Sequence, residues 1–126
     1  MANSPLPKDI KLHAKSRTLE LIYSDAEQFE LTAEYLRVHS PSAEVRGHGR
    51  GNGVLQTGKQ LVGIKGLEPT GNYALKIIFD DGHDTGLYTW EYLYDLCHNH
   101  HQHWNTYLSA LEQAGETRHA NMIAKG

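Results

Sequence analysis

Nine histidines, one cysteine and a run of alternating glycines are the features of this 126-residue sequence that could carry chemistry. Four of the histidines fall within His98-Asn99-His100-His101-Gln102-His103. On a helix His98 lies beside His101 and His100 beside His103, so either pair could offer two imidazoles to one metal ion. Two ligands do not close a tetrahedral site, and no carboxylate within the run completes it. His101 also falls in line with an apolar stripe, where a packed ring is the expected outcome. The run therefore reads as a polar helix face with one semi-buried ring. Cys97 is the sole cysteine, which excludes an internal disulfide and an all-cysteine zinc site in one chain. It sits in the same stripe and reads as an inert buried thiol.

Other motifs fall short of an enzyme. Gly53-Val54-Leu55-Gln56-Thr57-Gly58-Lys59-Gln60 approaches a phosphate-binding loop, but Gln60 stands where a magnesium-holding hydroxyl belongs. The preceding residues are glycine-rich rather than a buried strand, so nucleotide hydrolysis is not expected. No G-x-S-x-G turn and no H-E-x-x-H motif occurs. Asp80 and Asp81 are adjacent, point apart at a strand end, and suit a turn better than acid–base work. Gly47, Gly49, Gly51 and Gly53 alternate with His48, Arg50 and Asn52, which opposes regular structure over residues 44–60. From Val45 to Leu67 there is no acidic residue, while Arg46, Arg50, Lys59 and Lys65 make the segment cationic. It reads as a solvated surface loop, the kind of segment that often carries binding.

One domain must position these residues. Hydrophobic content of 39% with 21% charge is ordinary for a globular chain, and this length buries roughly two-thirds of its unfolded surface. Residues 1–8 read as a flexible lead-in and 115–126 as a flexible tail. Ile10–His13 and Leu19–Tyr23 predict two strands joined through Lys15-Ser16-Arg17. Leu31–Val38 predicts a short helix starting near Thr32 and Glu34 and ended by Ser40-Pro41. Leu61–Leu67 and Tyr73–Phe79 predict strands, with Tyr73 and Phe79 in the core and an Asp81-Gly82 turn leading to a strand at Thr85–Tyr88. Thr89 caps one long helix to Ala114, stopped by Gly115. This order predicts an α+β fold of two layers: a mainly antiparallel sheet, a short helix and a long C-terminal helix.

Net charge is -3 with histidine neutral, and half-protonation near pH 6.5 would add roughly 4.5 charges and reverse the sign. That balance gives no case for nucleic acid, since Arg46, Arg50 and Lys59 form a modest patch without interleaved aromatics. No stretch approaches a membrane span, and no signal peptide is visible at the N-terminus, so a cytoplasmic protein without membrane contact is expected.

Gly71-Asn72-Tyr73-Ala74-Leu75 and Asp81-Gly82-His83-Asp84-Thr85-Gly86-Leu87-Tyr88-Thr89-Trp90 are more distinctive. With Leu36-Arg37-Val38 and Ser40-Pro41-Ser42-Ala43-Glu44-Val45, they resemble the gamma-butyrobetaine hydroxylase-like N-terminal domain family over roughly residues 7–95. The resemblance implies a small bacterial domain of unknown function. Relatives also form the N-terminal module of eukaryotic gamma-butyrobetaine and trimethyllysine dioxygenases, or are attached to P-loop ATPases that handle iron–sulfur clusters. In the dioxygenases it implies a zinc module with three cysteines and a histidine. Those places fall here on Ser40, Ser42, Val45 and His83, so one ligand of four is kept and loss of the zinc site is expected. Much of the length of a dioxygenase catalytic domain is not in this sequence, so 2-oxoglutarate chemistry does not follow.

The reading that results is a non-catalytic binding or adaptor domain for a protein partner, linked to iron–sulfur or metal handling. Its binding residues would be Arg46, His48, Arg50, Asn72, Tyr73, Asp81, His83 and Trp90. One alternative is a metal-binding protein holding a divalent ion on His83 with His39 or His48. Another is a small enzyme or anion-binding domain at the His83 region.

Overall fold

The computed structural model describes residues 5–42 and 54–119. Its architecture is α+β as expected, with two three-stranded antiparallel sheets in place of one continuous sheet. The first sheet runs β1 (Asp9–His13), β2 (Thr18–Ile22), β3 (Gln28–Thr32) in that order. Its register sets Leu19 between Leu12 and Leu31, and Leu21 between Ile10 and Phe29, so apolar side chains line up across the strands. The sequence reading ran Leu31 into a helix, and this is corrected. Phe29 and Leu31 alternate with polar neighbours as a strand does, and the helix begins only after Thr32. The Thr32 hydroxyl accepts the Tyr35 amide at 3.0 Å, so the cap falls where it was expected.

Helix α1 (Ala33–Val38) is six residues long and buried at every one of them, Glu34 and Arg37 included. It leads through residues outside the description to the second sheet, ordered β4 (Ile64–Thr70), β5 (Ala74–Phe79), β6 (Leu87–Thr89). Leu75, Ile77 and Phe79 face the core as their alternation predicts. Tyr73 does not: it is 56% exposed, against the expectation of a core residue. Gly71 in the left-handed region (φ 54) closes a turn in which the Tyr73 amide donates to the Thr70 carbonyl, so the strand starts one residue later. Likewise residues 61–63 precede β4 rather than belonging to it.

The expected single C-terminal helix is two: α2 (Trp90–His98) and α3 (His100–Ala114). Asn99 leaves helical geometry (φ -112, ψ 33), while the Asp95 carboxylate takes bonds from Asn99 Nδ2 at 2.6 Å and His103 Nε2 at 2.9 Å. The Thr89 hydroxyl caps α2 through the Tyr92 amide at 3.1 Å, and Gly115 (φ 69) ends α3, both as predicted. Residues 116–119, read from the sequence as loose, are tied down: Gly58 N donates to Thr117 O and Gln60 N to Arg118 O.

The core lies between the sheets around α1, and Tyr35 and Tyr88 are its largest fully buried side chains. Tyr35 Oη donates to the Leu96 carbonyl at 2.6 Å and Tyr88 Oη to the Leu36 carbonyl, which tie α1 to α2 and β6. Cys97 is buried, and that burial pushes its thiol up to about 12, so it is inert as expected.

A layer of histidines caps this core. His39 Nδ1 donates to the Tyr35 carbonyl at 2.8 Å, and the rings of His39 and His100 lie 4.7 and 4.3 Å from the Tyr35 ring centre. His103 sits 5.7 Å from His39. The break at Asn99 changes the helical phase, so His101, expected in the stripe, is exposed against Asn105. Burial holds His39 below its ordinary pKa, and burial together with His101 and His103 does the same for His100. Both therefore bind protons more readily in the unfolded chain. Their contribution to stability is complete above about pH 6.5 and is lost as pH falls through the lowered folded-state values. Urea denaturation is expected to show a midpoint that declines as pH falls from about 6.5, and the double variant His39→Gln/His100→Gln should flatten that decline. A wild-type midpoint constant over this fall would contradict the account.

Candidate functional site

β5 separates the sequence-predicted residues into two groups about 20 Å apart along the strand. Asn72 and Tyr73 precede it, where Trp90 joins them, and Asp81 and His83 follow it. Arg46, His48 and Arg50 lie outside the described residues.

At the second end, the chain leaving α1 meets the turn after β5. Ser40 follows the helix cap and its amide donates to the Arg37 carbonyl. Gly82 (φ 89) turns the chain so that Phe79 N bonds His83 O and the His83 ring enters the protein. His83 Nε2 lies 2.8 Å from Ser40 Oγ and 3.3 Å from Ser42 Oγ. Beside it, Asp81 Oδ2 accepts from Arg37 Nε at 2.9 Å and Lys59 Nζ at 2.8 Å, and Asp81 Oδ1 from the His83 amide. Arg37 Nη1 extends the network to Gln56 Oε1 at 3.0 Å. Burial works against ionisation of Asp81, but Lys59, the His83 amide and Arg37 outweigh it and hold the carboxyl below its usual range. Asp80 Oδ1 accepts from Gly63 N and ties the turn to the segment before β4, while the Asp81 bond to the His83 amide serves the turn itself.

A serine hydroxyl on an imidazole is the arrangement of a nucleophile and its base. Here Ser40 is 1% exposed, so no substrate carbonyl can reach it. The same positions test the zinc module that the resemblance implies. Ligand atoms on tetrahedral zinc stand roughly 3.3–3.8 Å apart, given bonds of about 2.0–2.3 Å. Ser40 Oγ and His83 Nε2 instead touch as a direct hydrogen bond, and hydroxyls are poor zinc donors. The residues present do not fit the ion. Among the described residues no group of three or more His, Cys, Asp or Glu could hold a metal, and His39 packs on Tyr35 rather than beside His83. The helix-run histidines are engaged one by one: His98 with Glu27, His103 with Asp95.

At the first end, the turn from β4 to β5 carries the binding candidates outward. Trp90 N donates to Tyr73 O at 3.3 Å and Trp90 Nε1 to Asn72 O at 3.1 Å, which fixes the indole at the first turn of α2. Leu6, Pro7, Ile10, Gly71, Asn72 and Trp90 line a cavity of about 320 Å³. Tyr73 and Leu6 are exposed large side chains at its level of the sequence, and Leu87 on β6 is a third.

Sequence reasoning missed Arg37 and Gln56, whereas the resemblance had already grouped Ser40 and Ser42 with His83. The signal available was small: Arg37 on an apolar six-residue helix had to be buried and hence paired.

Gly86 shows how tightly the serine end is built. A Cβ there would come within 2.3 Å of Ser40 Oγ and 3.3 Å of Pro41 Cδ. Gly86→Ala is expected to cost at least about 2 kcal/mol in chemical denaturation. In a Ser40→Ala background the same change should cost markedly less, because the clashing hydroxyl is gone. Strict additivity of the two substitutions would refute the contact.

The family model described as gamma-butyrobetaine hydroxylase-like, N-terminal, matches residues 10–94. Two proteins with NMR solution structures are similar over nearly the whole chain. One is 51% identical with a TM-score of 0.83, covering 98% of each chain. The other is 47% identical with a TM-score of 0.79, covering 100% of this chain and 95% of that one. A crystal structure of a protein of unknown function from Acidithiobacillus ferrooxidans, in the DUF971 family, is 35% identical with a TM-score of 0.62. It covers 76% of this chain and 97% of its own. No curated protein matches the chain.

Proposed function

The chain belongs to the gamma-butyrobetaine hydroxylase-like N-terminal domain family, and from that premise we propose that it is a non-catalytic binding domain that docks a protein partner. The observation that carries this reading is Tyr73, 56% exposed and joined through its carbonyl to Trp90, whose indole is held by the Asn72 carbonyl at the wall of an open cavity. A large aromatic left in water next to a fixed one is the usual make-up of an interface anchor. Pre-ordering Trp90 lowers the entropy lost when a partner covers it. The opposite end of β5 supports the same reading, because its Ser–His and Arg–Asp–Lys groups are spent on one another.

On this reading Asn72, Tyr73 and Trp90 make contact, while Asp81 and His83 hold the fold behind it. Arg46, His48 and Arg50 belong to a segment whose flanking residues Ser42 and Gln56 are bonded into the Asp81–His83 end. That segment would serve as a second, charge-complementary contact. A partner engaged in iron–sulfur or metal handling is the first to seek.

Affinity capture from native extract with the wild-type chain should recover a partner that Tyr73→Asp loses by about tenfold or more, with the circular dichroism spectrum unchanged. His83→Ala, a buried change, should instead lower the melting temperature before it alters recovery. Equal recovery by Tyr73→Asp and wild type would overturn the proposal.

A further inference from the structure

Glu34 lies in α1 and is 5% exposed, a carboxylate that must be paired where it stands. Glu34 and Arg118 both line a cavity of about 300 Å³, together with Ser16, Arg17, Thr32 and Gln60. This cavity shares no lining residue with the one at Trp90. The cation that answers Glu34 comes from the last described residues of the chain. Arg118 Nε donates to Glu34 Oε2 at 2.9 Å and Arg118 Nη2 to Oε1 at 2.7 Å, a two-pronged fit. The guanidinium also stands 5.3 Å from the Trp104 ring centre. Around it the backbone is held by main-chain bonds: Gly58 N to Thr117 O at 3.1 Å and Gln60 N to Arg118 O at 3.0 Å. His119 Nδ1 meets Gln60 Oε1 at 2.7 Å.

We propose that the Glu34 carboxylate and the Gly58 and Gln60 amides beside this cavity form a docking seat for an extended, arginine-bearing segment of a partner protein, occupied in this chain by its own residues 117–118. The seat is built on α1, β3 and the 58–62 loop, all fixed parts of the domain. The occupant is a strap of four residues beyond Gly115, whose left-handed backbone makes a natural hinge. Contacts to main-chain N–H groups accept any extended sequence, so specificity rests on the Glu34 carboxylate. A guanidinium suits it better than an ammonium, because the fork matches both oxygens and its face stacks on Trp104. Ordering the strap opposes these few bonds, so the internal occupant is held weakly and a partner's arginine can replace it. Replacement would also be felt at Asp81, since Lys59 lies between the two loop amides that hold the strap.

The test uses the full-length Arg118→Ala variant and the peptide Ala-Gly-Glu-Thr-Arg-His, which copies residues 114–119. Binding is followed by Trp fluorescence and by the NMR signals of the Gly58 and Gln60 amides. The peptide should bind Arg118→Ala at least about tenfold tighter than versions carrying Lys or Ala in place of Arg. Wild type, whose seat is filled, should bind it several-fold more weakly, and Glu34→Gln in the Arg118→Ala background should abolish the preference for Arg. If Arg118→Ala does not fold, Arg118→Lys keeps the charge, loses the fork and should show the same ranking. No preference for Arg, unmoved Gly58 and Gln60 amides, or a wild-type chain that dimerises by exchanging tails would each overturn the proposal. Tyr73→Asp should leave this titration unchanged, so failure here leaves the Trp90 surface standing.

Discussion

A helix of six residues buried on every side governs this fold. α1 is too short to persist alone, so its stability is borrowed from what packs around it. Its sequence, Ala33-Glu34-Tyr35-Leu36-Arg37-Val38, includes two charges that burial cannot leave unpaired. Glu34 is answered by Arg118 from the far end of the chain, and Arg37 by Asp81 from the turn after β5. Glu34 and Arg37 are buried while Arg118 and Asp81 stay partly exposed, so each pair is weaker than a fully buried one yet still sets where its segment lies. The placement of the strap, the Asp81 turn and the 56–60 loop follows from that one requirement.

The same helix explains why its surroundings are rich in hydroxyls and histidines. A short helix offers carbonyl groups at its end that nothing within it can satisfy. Tyr88 reaches the Leu36 carbonyl, Tyr92 the His39 carbonyl at 2.6 Å, and His39 the Tyr35 carbonyl. Ser40 Oγ, next along, hydrogen-bonds His83 Nε2 and thereby ties the helix exit to β5. A direct hydrogen bond fixes both side chains, which is a structural use of groups that elsewhere ligate or attack. The excess of histidine thus has several local causes. His83 closes the α1 exit, His39, His100 and His103 cover Tyr35, and His98 packs against Phe29 and Tyr94.

Much of the fold could be read from alternation and caps, and the places that could not share a physical cause. Ile77 and Phe79, the Asp81-Gly82 turn, the Thr89 cap and the Gly115 stop are encoded within a few residues of themselves. The strand at Gln28–Thr32 was hidden because Leu31 and Tyr35 happen to be spaced as on a helix. Only pairing with β2 selects the extended form. The break at Asn99 depends on a carboxylate one turn earlier that captures both the asparagine and His103, a contact no periodicity announces. Of the site residues, Asn72, Tyr73 and Trp90 do converge, whereas His83 was grouped with them and stands at the other end of β5. Sequence proximity through a hairpin placed them together, but a strand inverts that by holding its two ends apart.

That inversion divides the labour of the domain. The end of β5 that carries His83 is saturated: its donors and acceptors meet each other, and Gly86 leaves no room for a further atom against Ser40. The end that carries Trp90 leaves Tyr73 in water, while the indole packs against the core and is held through the Asn72 carbonyl. Because the holding bonds there use main-chain carbonyls, the side chains of the exposed end can vary freely. A charge placed at Tyr73 would not touch the core, whereas a methyl placed at Gly86 would. Exposed surface is therefore separable from stability along one strand, and the side chains at the Tyr73 end can change without a new fold.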